Sequence, residues 1–129
     1  MTPSEFRILL VEDDPINAFV VTETFSRYEI TVVEDGMEAL DKVSSEEFHL
    51  ILMDINLQDP NWDGTRVMQA IREMTGLGNI PIFAVTSYAL AHDRDFFLQA
   101  GFDEYIPKPL HEDNLGVLVE KVRENYSKN

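Results

Sequence analysis

The apolar residues of this chain fall into five short runs, each followed by a polar turn and then by apolar residues at helical spacing. The first run, Phe6 to Val11, stops at Glu12-Asp13-Asp14-Pro15, where Asp14 suits a helix N-cap and Pro15 the first helical position. Ile16, Phe19, Val20 and, around the same flank, Phe25 then recur at helical spacing, which predicts a helix over about 15–27. Ile30 to Val33 is β-branched and bounded by the turn dipeptide Asp35-Gly36, after which Met37, Leu40 and Val43 mark a second helix. The third run, Leu50 to Asn56, is apolar on both sides of an extended chain: Phe48, Leu50 and Leu52 point one way, His49, Ile51 and Met53 the other. Such a segment reads as a central strand of a parallel sheet with helices on both faces, and it delivers Asp54 at its C-terminal end.

A polar loop through Pro60 and Gly64 leads to a helix carrying Val67, Ala70, Ile71 and Met74, ended by Gly76 and Gly78. Ile80 to Val85 reads as a fourth strand with Pro81 near its start, where a missing N–H is tolerated. A helix over about 89–100 closes at Gly101, Phe102 to Ile106 makes a fifth strand, and Leu115, Leu118, Val119 and Val122 mark a last helix. Strict alternation of strand and helix predicts an α/β fold: one doubly wound (βα)5 domain with right-handed crossovers.

At 129 residues and 44% hydrophobic content, the chain suits one domain with a real core, expected to span 1–129. The net charge of −14 argues against nucleic acid or an anionic membrane as the main partner and favours cations or a basic protein. The absence of cysteine excludes disulfides and thiolate metal sites. The N-terminus has no signal-peptide pattern, and no apolar run approaches the ~20 residues that span a bilayer. The expected setting is the cytoplasm.

In an open parallel sheet the C-terminal strand ends share one edge, so Glu12, Asp13, Asp54, Thr86 and Lys108 are expected in one cleft. Carboxylates with a carbonyl nearby suit Mg2+, or Mn2+ in its place. A lysine and a hydroxyl opposite the metal would neutralise and hydrogen-bond the oxygens of a phosphoryl group, which points to phosphoryl transfer with Asp54 as nucleophile. Taken singly, an acidic turn is more often solvated surface, Thr86 a helix cap, Lys108 a surface charge and Tyr105 a half-buried strand aromatic.

Together, Val11-Glu12-Asp13-Asp14, Met53-Asp54, Val85-Thr86-Ser87 and Tyr105-Ile106-Pro107-Lys108-Pro109 resemble the response-regulator receiver domain of two-component signalling, over about residues 6–125. The resemblance implies a flavodoxin-like five-stranded sheet in the order 2-1-3-4-5, as in chemotaxis regulators. It further implies that Asp54 takes phosphate from a sensor histidine kinase or histidine phosphotransfer protein. Asp13 and Asp54 would ligate the metal, Glu12 would act through water, and the Asn56 backbone carbonyl would complete the set. Lys108 would pair with Asp54 and then with the phosphoryl oxygens. Thr86 and Tyr105 would form the switch that reshapes the surface of helix four, strand five and helix five for a downstream protein target. Beyond self-catalysed phosphorylation and dephosphorylation no enzyme activity is expected, and a cis Lys108-Pro109 peptide is implied. No output domain is expected after the last helix.

One departure stands out. Receivers commonly place proline four residues after the phosphoacceptor and Asp-Gly seven and eight after it, whereas here Pro60 and Asp63-Gly64 each come two positions later. A two-residue insertion at Gln58-Asp59 is inferred, with Trp62 in the altered loop. Asn56 and Tyr88 occupy positions that tune phosphate lifetime in this family. His49, His92 and His111 lack metal spacing and read as structural or surface residues. Three rivals remain: a phosphorelay intermediate or a receiver excised from a hybrid kinase; an aspartyl-phosphate hydrolase of the haloacid-dehalogenase type, disfavoured because Asn56 replaces its general acid; and a phosphorylation-independent pseudo-receiver, disfavoured because no key group is missing.

Overall fold

The computed structural model describes residues 1–59, 61–87 and 93–127. Strands β1 (Arg7–Val11), β2 (Glu29–Val33), β3 (Leu50–Asp54), β4 (Ile82–Thr86) and β5 (Glu104–Pro107) alternate with helices α1 (Pro15–Thr24), α2 (Gly36–Ser45), α3 (Gly64–Arg72), α4 (Asp93–Ala100) and α5 (Val117–Ser127). A 3-10 turn at Pro3–Glu5 precedes β1, and a π-helical turn at Glu112–Gly116 leads into α5. All strand pairs are parallel, in the order β2-β1-β3-β4-β5, the doubly wound flavodoxin-like arrangement. The order reverses between β1 and β3, so the crevice for a ligand opens beyond their C-terminal ends.

Side-chain alternation splits the core in two. Leu9, Val11, Ile51, Met53, Ile82 and Ala84 face α2, α3 and Phe97 of α4. Ile8, Leu10, Leu50, Leu52, Phe83 and Val85 face α1 and α5. Every residue of β3 is buried, which is why its sequence carries no polar residue before Asp54. The alternation does not extend upstream: Phe48 packs with Ile51 and Met53, and His49 stacks on Phe6, so the two precede the strand with their sides exchanged relative to the expectation. Aspartates start the helices nearest the crevice. Asp14, Asp35 and Asp63 cap α1, α2 and α3 by accepting the N–H of Ile16, Glu38 and Arg66, each at 2.9 Å.

The structure overturns the expected α1 stripe at three of its four positions, with Phe25 alone buried. Ile16, Phe19 and Val20 are exposed, at 73%, 64% and 47%, while Ala18, Val21 and Phe25 fill the core. Both sets keep helical spacing because α1 is apolar nearly all round, so periodicity alone does not select the buried face. The helix also ends at Thr24, short of residue 27. Two strands start later than expected. Pro81 offers its carbonyl to the Ile51 N–H but has no N–H of its own, and β4 begins at Ile82. Phe102 is buried outside the ladder, and Asp103 hydrogen-bonds the Ile82 N–H and pairs with Arg72, both at 2.8 Å, so β5 begins at Glu104. Similarly α3 stops at Arg72, two residues before Met74. The first residues of the expected fourth helix, 89–92, lie outside the described residues, as do Pro60, Tyr88 and His92. Among the described residues, no helix is long and apolar enough to cross a membrane.

Candidate functional site

The carboxylates and the lysine converge at the edge that the strand order predicts. Asp54 is the last residue of β3 and Thr86 the last of β4, while Glu12 follows β1 and Lys108 follows β5. Parallel pairing of Val11 with Met53, Asp54 with Val85 and Thr86 with Pro107 sets these residues at one level of the sheet. A cleft of about 300 Å³ results, lined by Glu12, Asp13, Asp54, Asn56, Ser87 and Lys108 among others. One oxygen from each of Glu12, Asp13 and Asp54 lies within 4.8 Å of the others, a donor set suited to a hard cation.

Asp54 is buried, and its side chain is held at both oxygens. Oδ1 accepts the Asn56 N–H at 2.8 Å, and Oδ2 accepts from Lys108 Nζ at 3.2 Å. The lysine also donates to Glu12 Oε1 at 2.6 Å, so its ammonium bridges two carboxylates and sits nearer Glu12 than Asp54. Burial pushes the Glu12 carboxyl up to about 7; the Lys108 hydrogen bond opposes that shift and Asp54 adds to it. Burial works against the Lys108 ammonium, but the Glu12 hydrogen bond and the two neighbouring charges hold its pKa above the ordinary lysine value. A cation entering among the carboxylates would displace protons as well as loosen the lysine bridge.

Thr86 is buried beneath the cleft, where its Oγ1 accepts from the Asn56 side-chain amide at 2.9 Å. Tyr105 stands apart from the carboxylates. Its ring is buried in the α2-α3 half of the core and stacked on Phe97 at 5.4 Å. The Lys108-Pro109 peptide is cis. Asp14 serves as the α1 cap and lines the cleft without joining the triad of clustered oxygens.

Described residues of the loop after β3 reach back to the site. The Gln58 N–H donates to Asp13 Oδ2 at 3.1 Å, and the Asn61 N–H to Asp59 Oδ1 at 2.9 Å. Trp62 is not a cleft residue; it packs against Gly36 at the start of α2, with the Arg66 guanidinium 5.1 Å above its ring. Gly64, the first residue of α3, touches the backbone of the site directly. A Cβ there would lie 2.4 Å from the Asp54 carbonyl oxygen and 2.6 Å from Ile55 Cα.

Sequence reasoning missed three of these groups. The Asn56 N–H, bound to Asp54, and the Gln58 N–H are such cases, because a backbone donor leaves no mark on composition. The third is Asn114, whose amide reaches the carbonyls of Pro107 and Pro109. The Asp63-Gly64 dipeptide was visible as a motif, but its close approach to Asp54 was not.

Comparisons with known proteins agree with this geometry. The chain matches the family model of the response regulator receiver domain over residues 8–120. It is 36% identical over 120 residues to the sensor protein GacS of Pseudomonas syringae pv. syringae, and 40% identical over 111 residues to the autoinducer 2 sensor kinase/phosphatase LuxQ of Vibrio vulnificus. These alignments take in 89% and 84% of the chain, which spans only 13% of the length of either relative. Among solved structures, the receiver domain of a sensor histidine kinase from Pseudomonas aeruginosa PAO1 superposes with a TM-score of 0.79 at 35% identity, covering 90% of this chain and 95% of that one. That protein has a magnesium ion coordinated in its active-site cleft. A CheY-like receiver domain protein from Methanospirillum hungatei JF-1 gives a TM-score of 0.78 at 31% identity, covering 96% and 98%. Because the matched span runs from the first strand into the last helix, the sheet and the residues at its edge come as one unit: the chain belongs to the response regulator receiver domain family.

Proposed function

We propose that Asp54 is the phosphoacceptor, taking a phosphoryl group from a phosphohistidine with help from Lys108, Thr86 and a bound Mg2+. The convergence of a buried Asp54, a lysine in contact with it and two further carboxylates at one sheet edge carries this reading. In the step itself, an Asp54 oxygen bonds to phosphorus as the N–P bond breaks. The electron pair stays on the imidazole, which leaves neutral when its other nitrogen carries a proton. The product is an acyl phosphate, and the domain promotes its own phosphorylation and dephosphorylation without turning over another substrate.

Glu12, Asp13, Asp54 and the Asn56 carbonyl would hold the ion, Mg2+ or Mn2+; their oxygen donors fit it, and the magnesium in the P. aeruginosa receiver supports the assignment. When bound, the ion neutralises charge developing on the phosphoryl oxygens. Lys108 then leaves its carboxylate bridge for a phosphoryl oxygen. Thr86 must give up its bond from Asn56 to turn toward the phosphate, and Tyr105, already inward against Phe97, is the second member of the switch. Such a local charge change, read by a packing element with two settings, would alter the α4-β5-α5 face seen by a downstream protein.

The phosphodonor would be a histidine kinase or histidine phosphotransfer protein in the cytoplasm. A protein donor is supported by the exposed apolar side of α1, because Val20 there borders a small cleft that Glu12 and Lys108 also line. The sensor-kinase relatives, of which this single receiver domain matches only 13%, favour its working as the receiver unit of a hybrid kinase or relay. The test is transfer from a histidine protein phosphorylated with labelled ATP. Label should move to the wild type and not to Asp54→Asn; label on Asp54→Asn, or none on the wild type with several donors, would overturn the assignment. Steady release of phosphate from small phosphate esters would favour the hydrolase.

A further inference from the structure

The lysine that contacts Asp54 sits between two prolines, and that arrangement limits how its backbone can be held. Pro107 and Pro109 carry no N–H, so the three-residue segment has a single backbone donor. This donor, the Lys108 N–H, goes to the Thr86 carbonyl at 2.8 Å. The carbonyls on either side of Lys108 are reached from the other direction, by Asn114. Its Nδ2 donates to Pro107 O and to Pro109 O, both at 3.1 Å, while Oδ1 accepts the His111 N–H at 2.9 Å. Both amide protons are thus used on the carbonyls of the two prolines that flank Lys108, and the remaining oxygen closes the start of the turn.

The base of this clamp is itself fixed. Asn114 lies in the π-helical turn, where the Gly116 N–H reaches the His111 carbonyl five residues back at 3.3 Å. Glu112 of the same turn is gripped by the Arg27 guanidinium through two bonds of 2.6 and 2.7 Å. Leu115, the residue after Asn114, is fully buried in the α1-α5 half of the core. The turn therefore has a polar anchor on one side and an apolar one on the other, with the Asn114 amide between them.

We propose that Asn114 is a positioning residue for Lys108: its amide pins the carbonyls before and after the lysine and so aims Nζ at Glu12 and Asp54. The functional part of this inference rests on the role given above to Lys108 in phosphoryl transfer. Asn114 touches no reacting atom, and its effect runs through the lysine. Polar side chains at helix starts ordinarily serve the helix alone, and the Oδ1 bond does that here. The two Nδ2 bonds point away from the helix, to the segment that carries the site.

Asn114→Asp separates the two tasks. The carboxylate still accepts the His111 N–H, but it sets acceptor oxygens against two carbonyls and supplies no donor. Asn114→Ala removes the donors without adding charge and guards against misfolding of the first variant. Two readouts are needed. Without phosphate, hydrogen exchange at the Lys108 amide should quicken about fivefold in both variants, relative to α5 amides, consistent with a loss of roughly 1 kcal/mol of hydrogen bonding. With Mg2+ and acetyl phosphate, the phosphorylation rate should fall about 10- to 100-fold, the range expected when a catalytic group shifts by an ångström. In a Lys108→Ala background, Asn114→Asp should cost nothing further. Unchanged exchange at Lys108, or an equal loss of rate with and without the lysine, would overturn the proposal. If the wild type takes no phosphate, the phosphoacceptor reading fails, and the exchange measurement alone still decides the clamp.

Discussion

Gly64→Ala is the sharpest test of how the fold holds its site. Gly64 opens α3 directly against the end of β3, and a methyl group there would stand 2.4 Å from the Asp54 carbonyl oxygen, 2.6 Å from Ile55 Cα and 3.0 Å from the Asp54 carbonyl carbon. These neighbours are backbone atoms of a fully buried strand end, so no side chain can swing aside. The first contact must open beyond 3.0 Å, a displacement of at least about 0.6 Å between α3 and the residue proposed to accept phosphate. Overpacking of this kind costs about 1–3 kcal/mol. At roughly 3–6 °C per kcal/mol for a domain of this size, the melting temperature should fall by about 3–18 °C. Asp54 should also move against Lys108 and the other carboxylates, lowering the phosphorylation rate by about 10- to 100-fold. Gly76→Ala is the matched control, because Gly76 has φ +82° and a methyl group added to it would meet nothing within 4 Å. It should cost about 1–2 kcal/mol of backbone strain and leave the phosphorylation rate unchanged. Urea unfolding gives the stability, and intact mass against time gives the rate. A Gly64→Ala protein with wild-type stability and rate would refute the claim that α3 packs on the phosphoacceptor backbone.

Three further outcomes follow from individual contacts. Asn56→Ala removes the donor to Thr86 Oγ1, a bond worth about 1 kcal/mol, so beryllofluoride in the presence of Mg2+ should bind up to about fivefold more tightly as the hydroxyl turns more freely; weaker binding would contradict the restraint. His49 Nδ1 accepts the Arg7 N–H at 2.9 Å, and burial lowers the imidazole pKa, with Glu47 opposing that shift and Arg7 adding to it. Its contribution to stability is therefore present above the ordinary histidine pKa of about 6.5 and is lost as pH falls below it. Urea midpoints at pH 7 and 5 should separate more for the wild type than for His49→Asn, whose amide oxygen can take over the N–H; equal separations would contradict it. Deleting Gln58 and Asp59 removes the N–H that engages Asp13 Oδ2, so Mg2+ should bind more tightly by about the net worth of one solvent-accessible hydrogen bond, three- to tenfold, as read by calorimetry. Unchanged affinity would mean that the loop does not compete for the carboxylate.

The parts legible in the sequence are those that depend on periodicity and order along the chain. Five alternating runs predict the sheet, and the residue after each run predicts what stands at its edge, because parallel strands must bring their C-terminal ends together. Glu12, Asp54 and Lys108 could therefore be brought to one place although 96 residues separate the first from the last. What stayed hidden depends on choices that periodicity does not make. An α1 rich in apolar residues on every side offers two helical stripes, and only packing selects Ala18 and Val21 over Ile16, Phe19 and Val20. The Lys108 bridge to Glu12 reflects side-chain reach, and Asn114 reaches its two carbonyls only from a π-helical turn that the spacing of Leu115 and Leu118 does not announce. The shifted spacing of Pro60 and Asp63-Gly64 is legible in the sequence, but the contact of Gln58 with Asp13 is made by a backbone N–H that any residue except proline would supply.

The central claim is that this cleft phosphorylates Asp54, and intact mass spectrometry tests it most directly. The wild type incubated with Mg2+ and acetyl phosphate should gain the mass of one phosphoryl group. Hydroxylamine should remove it, as expected of an acyl phosphate, and borohydride reduction should map the label to Asp54. Chelation of Mg2+ and the Asp54→Asn substitution should each abolish the adduct. A stable adduct on another residue, or one that survives Asp54→Asn, would contradict the account.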